Sequence, residues 1–382
     1  MLCFLVAVLE GFDIQALGVA APRLAPELGL DAAQMGWLFA IGSLGILCGA
    51  AIGGRIADRF GRKPVFAASV LVFGAFTLAM PWGASFESLL VLRGLAGLGF
   101  GAALPNMMAM AIEISPPSRR SFTTAAMFCG LPLGGALAAL VTRLLPEGFD
   151  WRVLFYLGGA LPLLLVPAII FLMTETHRPG KSEASDSFPV LDALFAEGRA
   201  PATLLIWVAL LPTMLMLYLM LNWLPTLVVA QGVDRSVAPL AALWFNLGGM
   251  LGGLLIAPLV DRVGFRWPIT LAFVVLVGVL FVLSMSSSGT VILAFSGIAG
   301  FLLLGANYAF YGVAAAIYPA TARGTGSGAA VAVGRVGSVI GPLVAGALMG
   351  QGGSAGDVIL WLVPCAAVAA IAVFALARYA AR

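Results

Sequence analysis

Twelve apolar runs, most of them just over twenty residues long, are separated by short charged or Pro/Gly-containing breaks and leave little of the chain over. A helix rises about 1.5 Å per residue, so each run matches a bilayer core about 30 Å thick. Six runs lie near Leu2–Leu24, Gln34–Ala57, Pro64–Trp82, Ser88–Ile112, Ser121–Leu145 and Trp151–Met173. Six more follow near Ala202–Val229, Val237–Val260, Trp267–Met285, Thr290–Ile317, Gly324–Met349 and Val358–Ala377. Charged residues make up 10% of the chain and hydrophobic ones 62%, with a mean hydropathy of +1.07. That balance leaves too little polar surface to face water on all sides, so the lipid bilayer is the expected surroundings.

The same residues exclude several kinds of function. A net charge of +3 is spread over many loops, and no Lys/Arg run is interleaved with aromatics, so nucleic acid is not an expected partner. Cys3, Cys48, Cys129 and Cys365 fall inside apolar runs without paired spacing, which predicts neither a disulfide framework nor a metal site. No Ser/His/Asp set or phosphate loop suggests an enzyme, and no cofactor is expected. His177, the single histidine, falls between the two sets of runs, so a histidine proton relay inside the membrane is excluded. The first run outlasts a signal-peptide core and reads as a span. Its abrupt start at Met1 raises the expectation of a short native tail before it.

The basic residues orient the chain, because Lys and Arg are retained on the cytoplasmic side. With both termini cytoplasmic, that side holds Arg55, Arg59, Arg62, Lys63, Arg119, Arg120, Arg178, Lys181, Arg199, Arg262, Arg266, Arg323, Arg378 and Arg382. The other side holds only Arg23, Arg143, Arg152 and Arg235. The chain also repeats itself at an offset of 203 residues: Asp58-Arg59-Phe60-Gly61 returns as Asp261-Arg262-Val263-Gly264. Pro22, Pro116, Arg120 and Gly134 fall on Pro225, Pro319, Arg323 and Gly337 at that offset. The expected organisation is a six-helix half over 1–173, a polar cytoplasmic linker over 174–200 and a second six-helix half over 201–382, related by a parallel repeat.

Gly54-Arg55-Ile56-Ala57-Asp58-Arg59-Phe60-Gly61-Arg62-Lys63, between the second and third runs, resembles the signature loop of the major facilitator superfamily. Arg93-Gly94-Leu95-Ala96-Gly97-Leu98-Gly99-Phe100-Gly101 is similar to that superfamily's fourth-span motif. Glu10-Gly11-Phe12-Asp13 in the first run resembles the motif of its aromatic acid:proton symporters, with Glu where many members carry Asp. The likeness continues through Ala103-Leu104-Pro105-Asn106, Asn222-Trp223-Leu224-Pro225 and Ala330-Val331-Ala332-Val333-Gly334-Arg335. It implies a monomeric inner-membrane symporter moving a proton with an aromatic carboxylic acid, 3-(3-hydroxyphenyl)propionate or a related phenylpropanoid or benzoate. Two alternatives stay open, a proton-driven exporter of drugs or metabolites and a transporter-like nutrient sensor. The exporters' fifth-span motif is only loosely approximated by Gly130-Leu131-Pro132-Leu133-Gly134-Gly135.

A charge in mid-membrane costs about 2.5–3.5 kcal/mol on insertion scales, so an ionisable residue inside a span is a functional candidate by default. Glu10, Asp13, Arg93 and Arg335 qualify. Glu10 and Asp13 are three residues apart, which puts both carboxylates on one helix face. They are the expected proton-coupling residues with Arg93, and a permanent ion pair to Arg93 is the structural alternative. Arg335 is expected to hold the substrate carboxylate through two parallel hydrogen bonds, with Gly334 and Gly337 permitting close helix approach. An aromatic ring needs apolar and π-rich walls with few polar anchors. Asn106, Tyr218, Asn222, Trp223, Trp244, Asn246, Asn307, Tyr308 and Tyr311 are candidates for those walls. Gln15, about 200° around the helix from Asp13, is expected to face a neighbouring helix instead. Asp58, Arg59 and Arg62, with Asp261 and Arg262, are expected to gate the cytoplasmic side through charge pairs and helix-end contacts.

Overall fold

The structure is a computed structural model that describes residues 1–146, 149–176, 190–319 and 322–380. His177, Arg178, Lys181 and Arg382 lie outside the described residues. Among the described residues twelve helices are long and apolar enough to cross a membrane, and no strand occurs. We number these helices α1 Leu2–Glu27, α2 Ala32–Phe60, α3 Arg62–Ala79, α4 Phe86–Ile114, α5 Arg120–Leu144, α6 Arg152–Leu172, α7 Ala200–Ala230, α8 Val237–Val263, α9 Arg266–Met285, α10 Gly289–Ile317 and α11 Arg323–Gly350. The twelfth span, Ala355–Tyr379, opens with a short turn and continues as α12, Leu362–Ala380.

The helices outrun the apolar runs because polar residues at their ends satisfy the exposed backbone groups. Asp31 accepts from the Gln34 amide at 2.7 Å while Gln34 accepts from the Asp31 amide at 3.0 Å, a reciprocal cap that starts α2 at Ala32. Ser85 and Ser88 do the same for α4. At the other end of α2, Gly61 turns the chain into α3 with φ 96, a left-handed value open to glycine; Gly264, at the repeat position, has φ 81. The segment read as a polar linker is helical over Val190–Phe195 and again from Ala200, with Arg199 donating to the carbonyls of Ala193 and Asp192 across the bend.

The chain divides into two compact units, Met1–Glu183 with Ala238–Leu243, and Ala184–Val237 with Trp244–Arg382. In the first, α2 packs on α4, α3 on α4 and α6, and α1 on α5. Phe73 and Phe100 stack at 4.5 Å in an apolar core that also buries Phe66, Met107 and Met110. At the far end of α1, Glu27 accepts from the Trp151 indole at 2.8 Å and from Arg152 at 2.7 Å, fastening α1 to the start of α6.

The repeat extends from the loops into the packing. Helix ends Glu27, Phe60 and Ile114 recur as Ala230, Val263 and Ile317, each 203 residues on. Gly134 of α5 lies against the Val8 carbonyl of α1, and Gly337 of α11 lies against the Leu211 carbonyl of α7. Likewise Gly45 of α2 meets the Gly94 carbonyl of α4, as Gly248 of α8 meets that of Gly297 in α10. These crossings need a residue without a side chain, since small residues let helix backbones approach. At Gly134 an added Cβ would overlap the Val8 carbonyl and sit 2.5 Å from the Phe12 amide nitrogen, both backbone atoms that cannot turn aside. Gly134→Val is therefore expected to cost about 1–3 kcal/mol by overpacking, read as a lowered thermal midpoint of the detergent-solubilised protein. An unchanged midpoint would show that α1 and α5 separate without strain.

Candidate functional site

In the first unit Asp13 and Glu10 sit one turn apart on α1, at 0% and 1% exposure, and Arg93 of α4, at 5%, reaches Asp13. Arg93 donates to Asp13 Oδ2 at 2.7 Å and, through its other terminal nitrogen, to the Ile14 carbonyl at 3.2 Å. The guanidinium therefore grips both the carboxylate and the backbone of α1, a charge-assisted arrangement in a dry setting. Room for it comes from Gly42 of α2, where a Cβ would lie 3.1 Å from Arg93 Nε. Gln15 turns away from this pair and packs against Gly135 of α5. At the repeat positions the second unit carries Met216 for Asp13, Ser296 for Arg93 and Phe245 for Gly42. Phe245, 1% exposed, replaces the glycine that admits the arginine.

In the second unit Arg335 stands near the middle of α11 and donates to the Tyr218 hydroxyl of α7 at 2.6 Å. Its guanidinium carbon lies 5.8 Å from the Tyr218 ring centroid. Tyr311 of α10 lies within electrostatic range of both groups, and Asn307, one turn earlier, neighbours its hydroxyl. Asn307 is 3% exposed, and its carbonyl oxygen Oδ1 is buried without a hydrogen-bond partner. Arg335, Tyr218, Tyr311 and Asn307 thus form one group of a cation, two phenols and an amide. Pro132, Gln15, Met108 and Leu104 take their places in the first half. Gly337 and Gly341 bring α11 against the backbone of α7, while a Cβ at Gly334 would lie 3.3 Å from Met214 Cγ.

The other aromatic and amide candidates have contacts of their own. Trp223 is 1% exposed and its indole donates to the Pro342 carbonyl at 3.1 Å, a commitment that makes it part of the α7–α11 packing. Asn222 donates to the Tyr218 carbonyl at 2.7 Å and Asn106 to the Ala102 carbonyl at 2.8 Å, each back onto its own helix. Tyr308 packs over Gly253 of α8, and Asn246 is buried in α8 at 1% exposure. Trp244 is 50% exposed. It lines an apolar groove of about 610 Å³ with Leu251, Ile298 and Phe301, on a face suited to lipid chains.

At the α2–α3 turn Arg62 pairs with Glu113 at the end of α4. The carboxylate of Glu175, just past α6, accepts from the backbone amides of Arg62 and Lys63, each at 3.0 Å. It therefore caps the first turn of α3 and meets the positive end of its dipole. Asp58, Arg59, Asp261 and Arg262 are exposed at the ends of α2 and α8, and among the described residues none of them forms an ion pair. The partners of this turn, Glu113 and Glu175, were not anticipated from sequence. Neither was Thr77 of α3, which faces Asp13. Nothing in the pattern of an apolar run marks such residues.

Six-helix halves repeated in parallel, each with ionisable side chains embedded in its spans, define a secondary transporter. Residues 3–252 match the family model described as Major Facilitator Superfamily, and the chain belongs to that family of membrane transporters. It is 39% identical to the 3-(3-hydroxy-phenyl)propionate transporter of Escherichia coli strain K12, over 98% of this chain and 92% of that protein. It is 33% identical to the 4-hydroxybenzoate transporter PcaK of Acinetobacter baylyi, over 98% and 89%. Among solved structures the D-xylose-proton symporter superposes with a TM-score of 0.78 at 16% identity, covering 99% of this chain and 96% of that one, a likeness of fold alone.

Proposed function

We propose that this protein carries an aromatic carboxylate into the cell together with a proton. Asp13, Glu10 and Arg93 serve as the proton-coupling group, and Arg335 serves as the anchor of the substrate carboxylate. The observation that carries this reading is the asymmetry of the repeat. The halves share helix ends and crossings, yet one replaces Asp13 and Arg93 by Met216 and Ser296, and the other replaces Arg335 by Pro132. The names of the relatives, transporters of hydroxylated aromatic acids, support the substrate class.

In this reading Arg335 exchanges its contact with Tyr218 for two parallel bonds to the carboxylate. Tyr218 and Tyr311 flank the ring, and Asn307 Oδ1 offers a buried acceptor suited to a phenolic hydroxyl. The proton binds at the Asp13 carboxylate, beside Arg93. The halves 1–173 and 201–382, joined by 174–200, move by alternating access. Asp58, Arg59, Arg62, Asp261 and Arg262 close the cytoplasmic side, and both termini lie at that side of a bacterial inner membrane. Linkage requires that proton and substrate raise each other's affinity.

The test is uptake of a labelled panel of benzoates, phenylpropionates and cinnamates into cells expressing the protein, with and without a protonophore. Concentrative uptake of at least one hydroxylated member, abolished by the protonophore, is expected. Absence of uptake for the whole panel, or uptake indifferent to the protonophore, would overturn the proposal and turn attention to export.

A further inference from the structure

Hydroxyl side chains inside helices can bond back to the carbonyl one turn earlier. In this protein Ser69 does so to Val65 at 2.7 Å, Thr142 to Ala138 at 2.9 Å and Thr213 to Ala209 at 2.7 Å. Thr77, on the same helix as Ser69, does not. Its residue is 0% exposed, and its Oγ1 has no formed hydrogen bond, in spite of the cost of burying a polar atom unpaired. The carboxylate it neighbours has one oxygen in the same condition: Asp13 Oδ1 is buried without a partner, while Oδ2 is held by Arg93.

Gly158 of α6 closes over both groups. A Cβ there would lie 3.4 Å from Thr77 Cγ2 and 3.5 Å from Asp13 Oδ1, so the glycine leaves the two free to approach. The charged groups about Asp13 are Arg93 from α4 and Glu10 on α1 itself. Gly158 of α6 adjoins Asp13 itself, Gly42 of α2 adjoins the Arg93 side chain and Gly134 of α5 adjoins the α1 backbone at Phe12, and none of them carries a charge. Thr77 has also changed together with Asp13 across the repeat. The second half carries Leu280 and Met216 at the two positions, both at 1% exposure.

We propose that Thr77 positions the Asp13 carboxyl in both of its protonation states. A hydroxyl is donor and acceptor at once. It donates to Oδ1 when the carboxylate is ionised, and it accepts from the acid's own O–H when a proton has bound there. The change requires only rotation about the Thr77 C–O bond; the proton comes from water and returns to it, and no covalent bond of Thr77 breaks. Arg93 keeps Oδ2 throughout, so the carboxyl presents the same oxygen to each incoming proton. The inference rests on Asp13 being the coupling residue, and it adds a positioning residue on α3 to that site.

The experiment compares Thr77→Val, which keeps the shape and removes the hydroxyl, with Thr77→Ser, which keeps the hydroxyl. Both are expressed in full-length protein, with accumulation of a transported hydroxylated aromatic acid and its dependence on external pH as the readouts. Thr77→Val is expected to accumulate about tenfold less, the scale of one hydrogen bond to a charged group, and to show a displaced pH profile. Thr77→Ser is expected to recover both. Solute exchange, which needs no net proton movement, is measured alongside to monitor folded, inserted protein. Wild-type accumulation and pH profile in Thr77→Val would overturn the proposal, and so would a Ser variant no better than Val. Normal accumulation by Asp13→Asn would instead remove the coupling role of Asp13 itself, so the two failures are distinguishable.

Discussion

Vesicles containing Asp13→Asn protein are expected to exchange labelled substrate for unlabelled but not to concentrate it when an inward proton gradient is imposed. An electroneutral one-to-one symport driven by one pH unit, about 1.4 kcal/mol, supports at most about a tenfold concentration ratio. The variant's ratio should stay near unity. Asparagine retains an oxygen for Arg93 but gives up the proton-binding oxygen, so the two activities separate. The substitution also leaves Arg93 buried against a neutral partner, and breaking a buried pair costs about 3–5 kcal/mol. The double variant Asp13→Asn/Arg93→Gln neutralises both sides. It should regain stability over the single variant, read as the thermal midpoint in detergent, without regaining accumulation. A single variant that concentrates substrate normally would show that the ion pair joins α1 to α4 and nothing more.

The second large effect is expected at Arg335. Arg335→Lys preserves the charge but loses the planar fork that meets a carboxylate with two parallel bonds. A hydrogen bond to a charged group contributes about 1.5–3 kcal/mol, so half-saturation for uptake should rise roughly ten- to hundredfold. Arg335→Ala should abolish measurable uptake. Tyr218→Phe removes the 2.6 Å partner of the guanidinium and should have a smaller effect, because the phenol is the group the substrate displaces. Initial uptake rates over a range of substrate concentrations check all three. An Arg335→Lys protein with unchanged half-saturation would place the carboxylate elsewhere.

The helices and their order were legible because a span must be apolar for about twenty residues, and breaks in that pattern can only be loops. Even the repeat of charged turns was visible, since Asp58-Arg59 and Asp261-Arg262 are conspicuous against an apolar background. The direction in which each side chain points was much harder to read. In α7 residues all around the helix are buried, among them Leu217, Leu219, Met220, Trp223 and Leu224, so the sequence offers no phase from which to tell a cavity-facing tryptophan from a packing one. Trp223, bonded to Pro342, was indistinguishable from Tyr218 on that basis. The ion pair between Asp13 and Arg93 was foreseen as an alternative because charges inside spans must find partners. Thr77, Glu113 and Glu175 were not, since each acts on a residue far away in the chain and carries no local pattern.

The glycine crossings also separate the halves as evolutionary lineages. In α2 and α4 it is Gly101 that lies against Ile46; at the matching point of α8 and α10, Gly249 lies against Leu304. Further along, Gly53 meets Ala102, whereas Gly305 meets Ile256. At these two points each half has its notch on the opposite partner, although the Gly45 and Gly248 crossings stay alike. Grafting α2 into the place of α8 would therefore drive Ile46 into Leu304, two bulges where one must yield. The ancestral duplication is preserved in the backbone, but its products are no longer interchangeable spare parts.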